Sequence, residues 1–135
     1  MKDSRNPQEL LRISNERILV LDGAMGSAIQ GFNLTASDFG GAHLEGCNEF
    51  LSVNCPKVIS EIHERHLKAG ADIIETNTFG GTPLVLDEYG LGNRTHEINV
   101  AACKLAREAA QKYSGTKPRF VAGSIGPTTK AISVT

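Results

Sequence analysis

The fold is decided by residues 56–77, PKVISEIHERHLKAGADIIETN. Pro56 suits the first turn of a helix, and Gly70 is a common helix terminator. Between them, one apolar face at helical spacing comprises Val58, Ile59, Ile62, His66 and Ala69. Residues 72–77 then form a β-branched run with a polar end, which is typical of a buried strand. The stretch therefore predicts a helix that leads into a strand with a chemically active tip.

Two further strands are predicted on either side of this unit. Residues 18–21 (ILVL) are a continuous apolar run, which indicates a strand buried on both faces, and residues 119–123 indicate another. A short helix is expected over 82–90 and a longer one over 94–113, with an apolar stripe at Ile98, Ala102, Leu105 and Ala109. Alternating strands and helices predict the α/β class with a parallel sheet.

The remaining segments limit the domain organisation. Asn6-Pro7 predicts the start of a helix, so residues 1–16 form an N-terminal helical extension. Residues 31–54 lack a sustained period and are predicted as a long, partly ordered loop. A (β/α)8 barrel needs about 250 residues, whereas this chain has 135. Three parallel strands cannot close a barrel, so residues 1–135 are expected to be a partial domain.

Composition narrows the class of partner. The net charge is -1 and basic residues are dispersed, which disfavours nucleic acid and anionic membranes as partners. No signal peptide or membrane span is apparent, so a cytoplasmic location is expected. Cys47, Cys55 and Cys103 lack Cys-x-x-Cys spacing, which indicates buried or idle thiols.

Polar residues follow each predicted strand, where parallel α/β folds place their ligands. After the first strand, residues 22–27 (DGAMGS) combine a carboxylate with glycines that expose backbone amides. This combination suits a ligand with an ammonium and a carboxylate group, although a tight turn capped by Asp22 explains it equally well. After the second, Glu75 and Asn77 point to the same face. The alternative is that a cation pairs with Glu75 and that Asn77 ties down a loop. Residues 123–128 favour a turn alone.

The histidines and the remaining sequence motifs give little support for a metal site or for another enzyme class. His63 and His66 are three residues apart on the first long helix, but no third ligand accompanies them, so a core-edge hydrogen bond is favoured over a metal site. Neither a dinucleotide fingerprint, a phosphate-binding loop nor a hydrolase motif occurs.

Three segments together resemble one known family. Residues 18–27 (ILVLDGAMGS), 69–80 (AGADIIETNTFG) and 119–128 (RFVAGSIGPT) are similar to the first three strand ends of the homocysteine S-methyltransferases. The wording is closest to the homocysteine-binding domain of cobalamin-dependent methionine synthases. The resemblance implies a TIM barrel, of which this chain supplies about three of the eight strands.

The resemblance also implies roles for individual residues. Those expected to bind homocysteine are Asp22, Gly23, Ala24, Met25, Glu75 and Asn77. Asp22 would hold the substrate ammonium, and the next three backbone amides would accommodate its carboxylate. Glu75 and Asn77 would form the wall of the same pocket.

In this family a zinc ion activates the homocysteine thiol, which then accepts a methyl group to give methionine. The zinc cysteines lie on later strands, one alone and two adjacent, and Cys47, Cys55 and Cys103 do not match them. We therefore expect the zinc ligands downstream of Thr135, no catalytic or metal-binding residue in this chain, and no activity from it alone. Cobalamin and methyltetrahydrofolate would bind further domains, which with the remaining barrel are the expected partners.

Two alternatives remain open at this point. The methyl donor could be betaine or S-methylmethionine in place of methyl-cobalamin. The chain could also be a non-catalytic half-barrel that binds a partner over its open edges.

Overall fold

The computed structural model of the chain describes residues 7–115 and 117–133. Its α-helices are α1 (Pro7–Ser14), α2 (Met25–Gln30), α3 (Ala36–Phe39), α4 (Leu51–Asn54), α5 (Pro56–Ala69), α6 (Pro83–Leu86) and α7 (Thr95–Tyr113). Its strands are β1 (Ile73–Glu75) and β2 (Phe120–Ala122). Short 3-10 turns occupy Ala42–Leu44, Asn48–Phe50, Asp87–Tyr89 and Gly92–Arg94. No helix in the described ranges is long and apolar enough to cross a membrane.

The sheet is parallel, as expected. β1 pairs with β2 in the register Ile73 to Phe120 and Glu75 to Ala122. Leu21 forms a parallel bridge to Ile73 on the other side of β1, so the first extended segment, 18–22, borders the sheet. The helices α5 and α7 lie between successive extended segments along the chain, which confirms the α/β class.

The first extended segment differs from its prediction. It was expected to be a strand buried on both faces, yet it makes a single bridge, and Ile18, Val20 and Leu21 are 88%, 54% and 49% exposed. No element among the described residues covers these side chains. The apolar run therefore predicted that these side chains are buried, and in this part of the chain they are not.

Helices α5 and α7 build the core against the sheet. Gly70 ends α5 with a φ of 111°, as its position in the sequence predicted. The predicted α5 face is partly wrong, because Ala69 is exposed and His66 only half-buried, while His63 and Leu67 are buried. Toward the end of α5 the core face passes through His63 and Leu67, whereas the prediction placed it at His66 and Ala69. On α7, the predicted stripe is buried except for Leu105, which is half-buried.

The segment 31–54 is helical rather than a loop. It contains α3, two 3-10 turns and α4. Five of its side chains are buried in one cluster with Ile29: Phe39, Leu44, Cys47, Phe50 and Leu51. Helices of three or four residues are too short to show a period, which explains why no periodic pattern marked them in the sequence. The six-residue helix α2 escaped prediction for the same reason.

The predicted N-terminal extension is helical over α1, and residues 1–6, including the predicted cap Asn6, lie outside the described residues. The first segment is fastened to β1 by Asp72, whose side chain is 1% exposed. Its carboxylate accepts two hydrogen bonds from Arg17, at 2.8 and 3.1 Å, and pairs with Lys117 at 2.9 Å. It also accepts the Val20 amide at 2.9 Å. The Arg17 guanidinium and these other donors hold the pKa of Asp72 far below its usual range.

Candidate functional site

A cleft of about 270 Å³ opens at the carboxyl ends of the three parallel segments. All six residues predicted to bind the substrate line it: Asp22, Gly23, Ala24, Met25, Glu75 and Asn77. The structure therefore brings together side chains that are more than fifty residues apart in sequence. Their meeting follows from the parallel register, because strand ends of the same polarity share one edge of the sheet.

Asp22 is bound to the neighbouring strand through both backbone and side chain. Its amide donates to the Ile73 carbonyl at 3.0 Å, and its Oδ1 accepts the Glu75 amide at 2.8 Å. Burial raises the pKa of Asp22 above its ordinary value, against the opposing effect of the Glu75 amide. The nearby Glu75 carboxylate also raises this pKa. A cation placed in the cleft would relieve both effects.

Glu75 lies half-buried at the same edge of the sheet. The alternative to substrate binding was that a cation of the protein pairs with its carboxylate. In the described portion of the chain no lysine or arginine forms an ion pair with Glu75 or with Asp22. Asp22 and Glu75 thus face one cleft without an ion pair from these residues, and His66 acts on Asp22 only through a weaker charge interaction that lowers its pKa. Such a pair favours a positively charged ligand group.

Asn77 holds a neighbouring segment in place, which was the alternative interpretation of its role. Its Nδ2 donates to the Asn48 carbonyl at 2.8 Å and to Ser52 Oγ at 3.2 Å. The side chain is buried and still borders the cleft. Asn77 therefore fixes the cleft wall by joining β1 to the helical segment before α4.

The turn after Asp22 exposes backbone donors. Gly23 and Ala24 are exposed, and Ala24 adopts the left-handed conformation with a φ of 56° immediately before α2. None of the amides of Gly23, Ala24 and Met25 donates to another described residue. A non-glycine residue in this conformation costs about 1 kcal/mol or more. Ala24, the residue with this strained backbone, lines the cleft.

The tip after β2 is locked to the tip after β1. Thr78 Oγ1 donates to the Ser124 carbonyl at 2.7 Å, and the Ser124 amide donates to Thr76 Oγ1 at 3.0 Å. The two threonine hydroxyls are 2.6 Å apart and share a hydrogen bond. Residues 123–128 were expected to form only a turn, and Ser124 nevertheless borders the cleft.

The prediction missed four other side chains that line the cleft: Asn48, Glu49, Thr76 and Phe79. Glu49 Oε1 accepts the Gly80 amide at 2.8 Å. Asn48 and Glu49 belong to the segment that was taken for a loop, where no periodicity marked them. Phe79 did carry a signal, because it directly follows the polar tip of β1.

The cysteines and histidines do not form a metal site here. Within residues 7–115 and 117–133, no group of three or more His, Cys, Asp or Glu side chains is placed to hold a metal ion. Cys47 is buried, and burial raises the pKa of its thiol to about 11. Cys55 is half-buried and Cys103 is exposed on α7. These residues do not fit the zinc ligand set that the sequence resemblance implies.

Comparisons with known proteins agree with this architecture. The sequence profile of the homocysteine S-methyltransferase family matches residues 19–134. The structure is similar to the homocysteine methyltransferase MmuM from Escherichia coli in its oxidized form, with 28% identity and a TM-score of 0.67 over 82% of this chain and 37% of that one. For the metallated form the values are 26% and 0.71, over 90% and 42%. The chain spans about two fifths of the length of that enzyme. The chain belongs to the homocysteine S-methyltransferase family.

Proposed function

We propose that this chain is the homocysteine-binding start of a cytoplasmic methyltransferase of the methionine synthase type. The observation that carries the proposal is the pair of carboxylates, Asp22 and Glu75, that meet at one cleft and form no ion pair with a lysine or arginine of the described residues. A free amino acid supplies the missing cation. The same cleft offers unengaged backbone amides for its carboxylate.

The ammonium group of homocysteine would bind between Asp22 and Glu75. Asp22 Oδ1 is already fixed by the Glu75 amide, so its carboxylate is held in place before the ligand arrives. An ammonium ion stabilises the charged form of Asp22 and lowers its raised pKa. Binding should therefore release protons from Asp22 in the pH range where this carboxyl group titrates.

The substrate carboxylate would lie against the amides of Gly23, Ala24 and Met25. The left-handed Ala24 directly precedes the right-handed first residue of α2, and alternation of this kind gathers consecutive N–H groups into a hollow that suits anions. Asn77 would contribute as the fixed wall described above. The substrate thiol would then extend away from these groups toward the centre of a complete barrel.

We place the zinc ligands in a part of the protein that follows this chain, because the cysteines present here do not fit them. When bound, zinc would supply a lowered thiol pKa for attack on the methyl donor. The chain's own contribution is to bind and orient the amino-acid end. Cobalamin and methyltetrahydrofolate are proposed for further domains, and the three parallel segments are proposed as the first three of eight barrel strands. The exposed first segment supports that proposal, because another strand would cover it.

The test is calorimetric titration of the chain with L-homocysteine and two matched ligands, N-acetyl-L-homocysteine and 3-mercaptopropylamine. The first lacks the ammonium charge and the second lacks the carboxylate. Each should bind at least tenfold more weakly than homocysteine, as loss of one charge-assisted contact of about 1.5–3 kcal/mol requires.

Variants then assign the contacts. Glu75→Gln should weaken homocysteine binding at least tenfold while barely changing the binding of 4-mercaptobutanoic acid, which is homocysteine without its ammonium group. Glu61→Gln, on the outer side of α5, is the matched control and should bind normally. Equal affinity of all ligands, or an unchanged affinity in Glu75→Gln, would show that the cleft is not the amino-acid site.

A further inference from the structure

Phe79 differs from its neighbours in exposure. Residues 76–78 and Gly80 are buried, whereas the Phe79 side chain is 60% exposed and borders the cleft. Among the described residues that line the cleft, Phe79 is the only aromatic one. The question is what holds this ring at the cleft.

The backbone around Phe79 is fastened from two sides. On one side, Glu49 Oε1 accepts the Gly80 amide at 2.8 Å. On the other, the Gly126 amide donates to the Phe79 carbonyl at 3.0 Å. One residue further on, Asn99 Nδ2 donates to the Gly81 carbonyl at 2.8 Å. The peptide unit that joins Phe79 to Gly80 is therefore held at both its carbonyl and its amide. The unit before the ring is held as well, because the Gly81 amide donates to the Thr78 carbonyl at 2.9 Å.

The two glycines in these contacts leave no space for a side chain. A Cβ on Gly80 would lie 2.8 Å from Glu49 Oε1, and a Cβ on Gly126 would lie 2.8 Å from the Phe79 ring. The Glu49 carboxylate therefore lies directly against the Gly80 backbone, and the Phe79 ring lies directly against Gly126. Close packing of this kind sets the direction in which the ring points.

We propose that Glu49 is a positioning residue that holds the Phe79 ring at the cleft through the Gly80 amide. The ring then provides an apolar wall for the carbon chain of the ligand, opposite the carboxylates that take its ammonium group. The identity of that ligand rests on the proposed function, whereas the positioning itself does not. Glu49 acts as a hydrogen-bond acceptor, so its charge is not required for this role.

The test compares Glu49→Gln, which keeps an acceptor oxygen, with Glu49→Ala, which removes it. Gly80→Ala attacks the same contact from the other side, and Glu61→Ala is the control on an exposed ion pair of α5. The first readout is NMR of the whole chain, with the Gly80 amide and the ring of a 13C-labelled Phe79 as reporters. The second is the dissociation constant for L-homocysteine.

Glu49→Gln should keep the ring resonances and bind homocysteine within about twofold of the unmodified chain. Glu49→Ala and Gly80→Ala should both shift the ring resonances and weaken binding about fivefold, the effect of one side chain losing its preorganisation. Equal weakening by Glu49→Gln and Glu49→Ala would overturn the proposal, since the charge would then contact the ligand. Unmoved ring resonances in Glu49→Ala would also overturn it. If the unmodified chain fails to bind homocysteine, the proposed function fails, and the NMR comparison still decides the role of Glu49.

Discussion

His63 makes the stability of this chain depend on pH in a way that can be worked out from its surroundings. The side chain is fully buried on α5, and neither ring nitrogen has a hydrogen-bond partner among the described residues. Burial, with a smaller contribution from the nearby His66, lowers the pKa of His63 from 6.5 to about 4. The folded chain therefore keeps this imidazole neutral under mildly acidic conditions.

The sign follows from comparing the folded and unfolded chains. Above pH 6.5 the imidazole is neutral in both, so it contributes no pH dependence. Between pH 6.5 and about 4 the unfolded chain binds a proton that the folded chain refuses, so the free energy of unfolding falls as pH falls. At 1.36 kcal/mol for each pKa unit, the loss is about 2 kcal/mol between pH 7 and 5 and about 3 kcal/mol by pH 4.

The perturbation is His63→Leu, which has similar volume and no titratable group. Urea unfolding at pH 7, 6 and 5 gives the free energy for each chain, and subtracting one from the other removes the contribution of groups common to both. The variant should be about 1–3 kcal/mol more stable at pH 7, because it no longer buries unpaired polar atoms. Its advantage should grow by about 2 kcal/mol at pH 5. His96→Gln, at an exposed site, is the control. A constant difference between the chains across this pH range would refute the reasoning.

Three other expectations concern stability and reactivity. Asp72→Ala should lower the free energy of unfolding by about 3 kcal/mol or more, measured by urea denaturation, because it strands the cations that cover a buried carboxylate; a loss under 1 kcal/mol would contradict this. Gly70→Ala should lower the free energy of unfolding by about 1–2 kcal/mol in the same assay. Nothing lies near its Cβ position, so the loss comes only from the backbone φ of 111°, and Gly115→Ala should be nearly neutral. Cys103 should react first with an aromatic disulfide reagent, because it is exposed, while burial and the raised pKa protect Cys47; a fast phase that survives Cys103→Ser would be inconsistent with these exposures.

The sequence predicted those elements whose signals are local. Helix α5 has a proline at its start, a glycine at its end and a periodic face, and β1 has a β-branched run, so both were found close to their observed bounds. The short helices of 31–54 were missed because their stability comes from burying Phe39, Phe50 and similar side chains in a shared core. Contacts between distant segments leave no periodic trace in one sequence.

The same distinction applies to the site. Asp22, Glu75 and Asn77 were found because strand ends are recognisable and their convergence follows from parallel topology. Glu49 was missed because its place at the cleft depends on how the segment before α4 packs. Asn77 was found as a cleft residue, but the direction of its amide toward Asn48 was visible only in three dimensions.

Two carboxylates bind the first extended segment to β1 in reciprocal fashion. At one end of the pairing, Asp72 Oδ2 accepts the Val20 amide, and at the other end Asp22 Oδ1 accepts the Glu75 amide. Asp72 is surrounded by cations and is saturated with donors, whereas Asp22 has a raised pKa and no cation bound to it. The first therefore serves structure alone, while the second joins the sheet and borders the cleft with the same group. In the proposed binding mode, ligand affinity and sheet pairing are linked at Asp22, because a ligand ammonium that stabilises its charged form also strengthens the acceptor that holds the Glu75 amide.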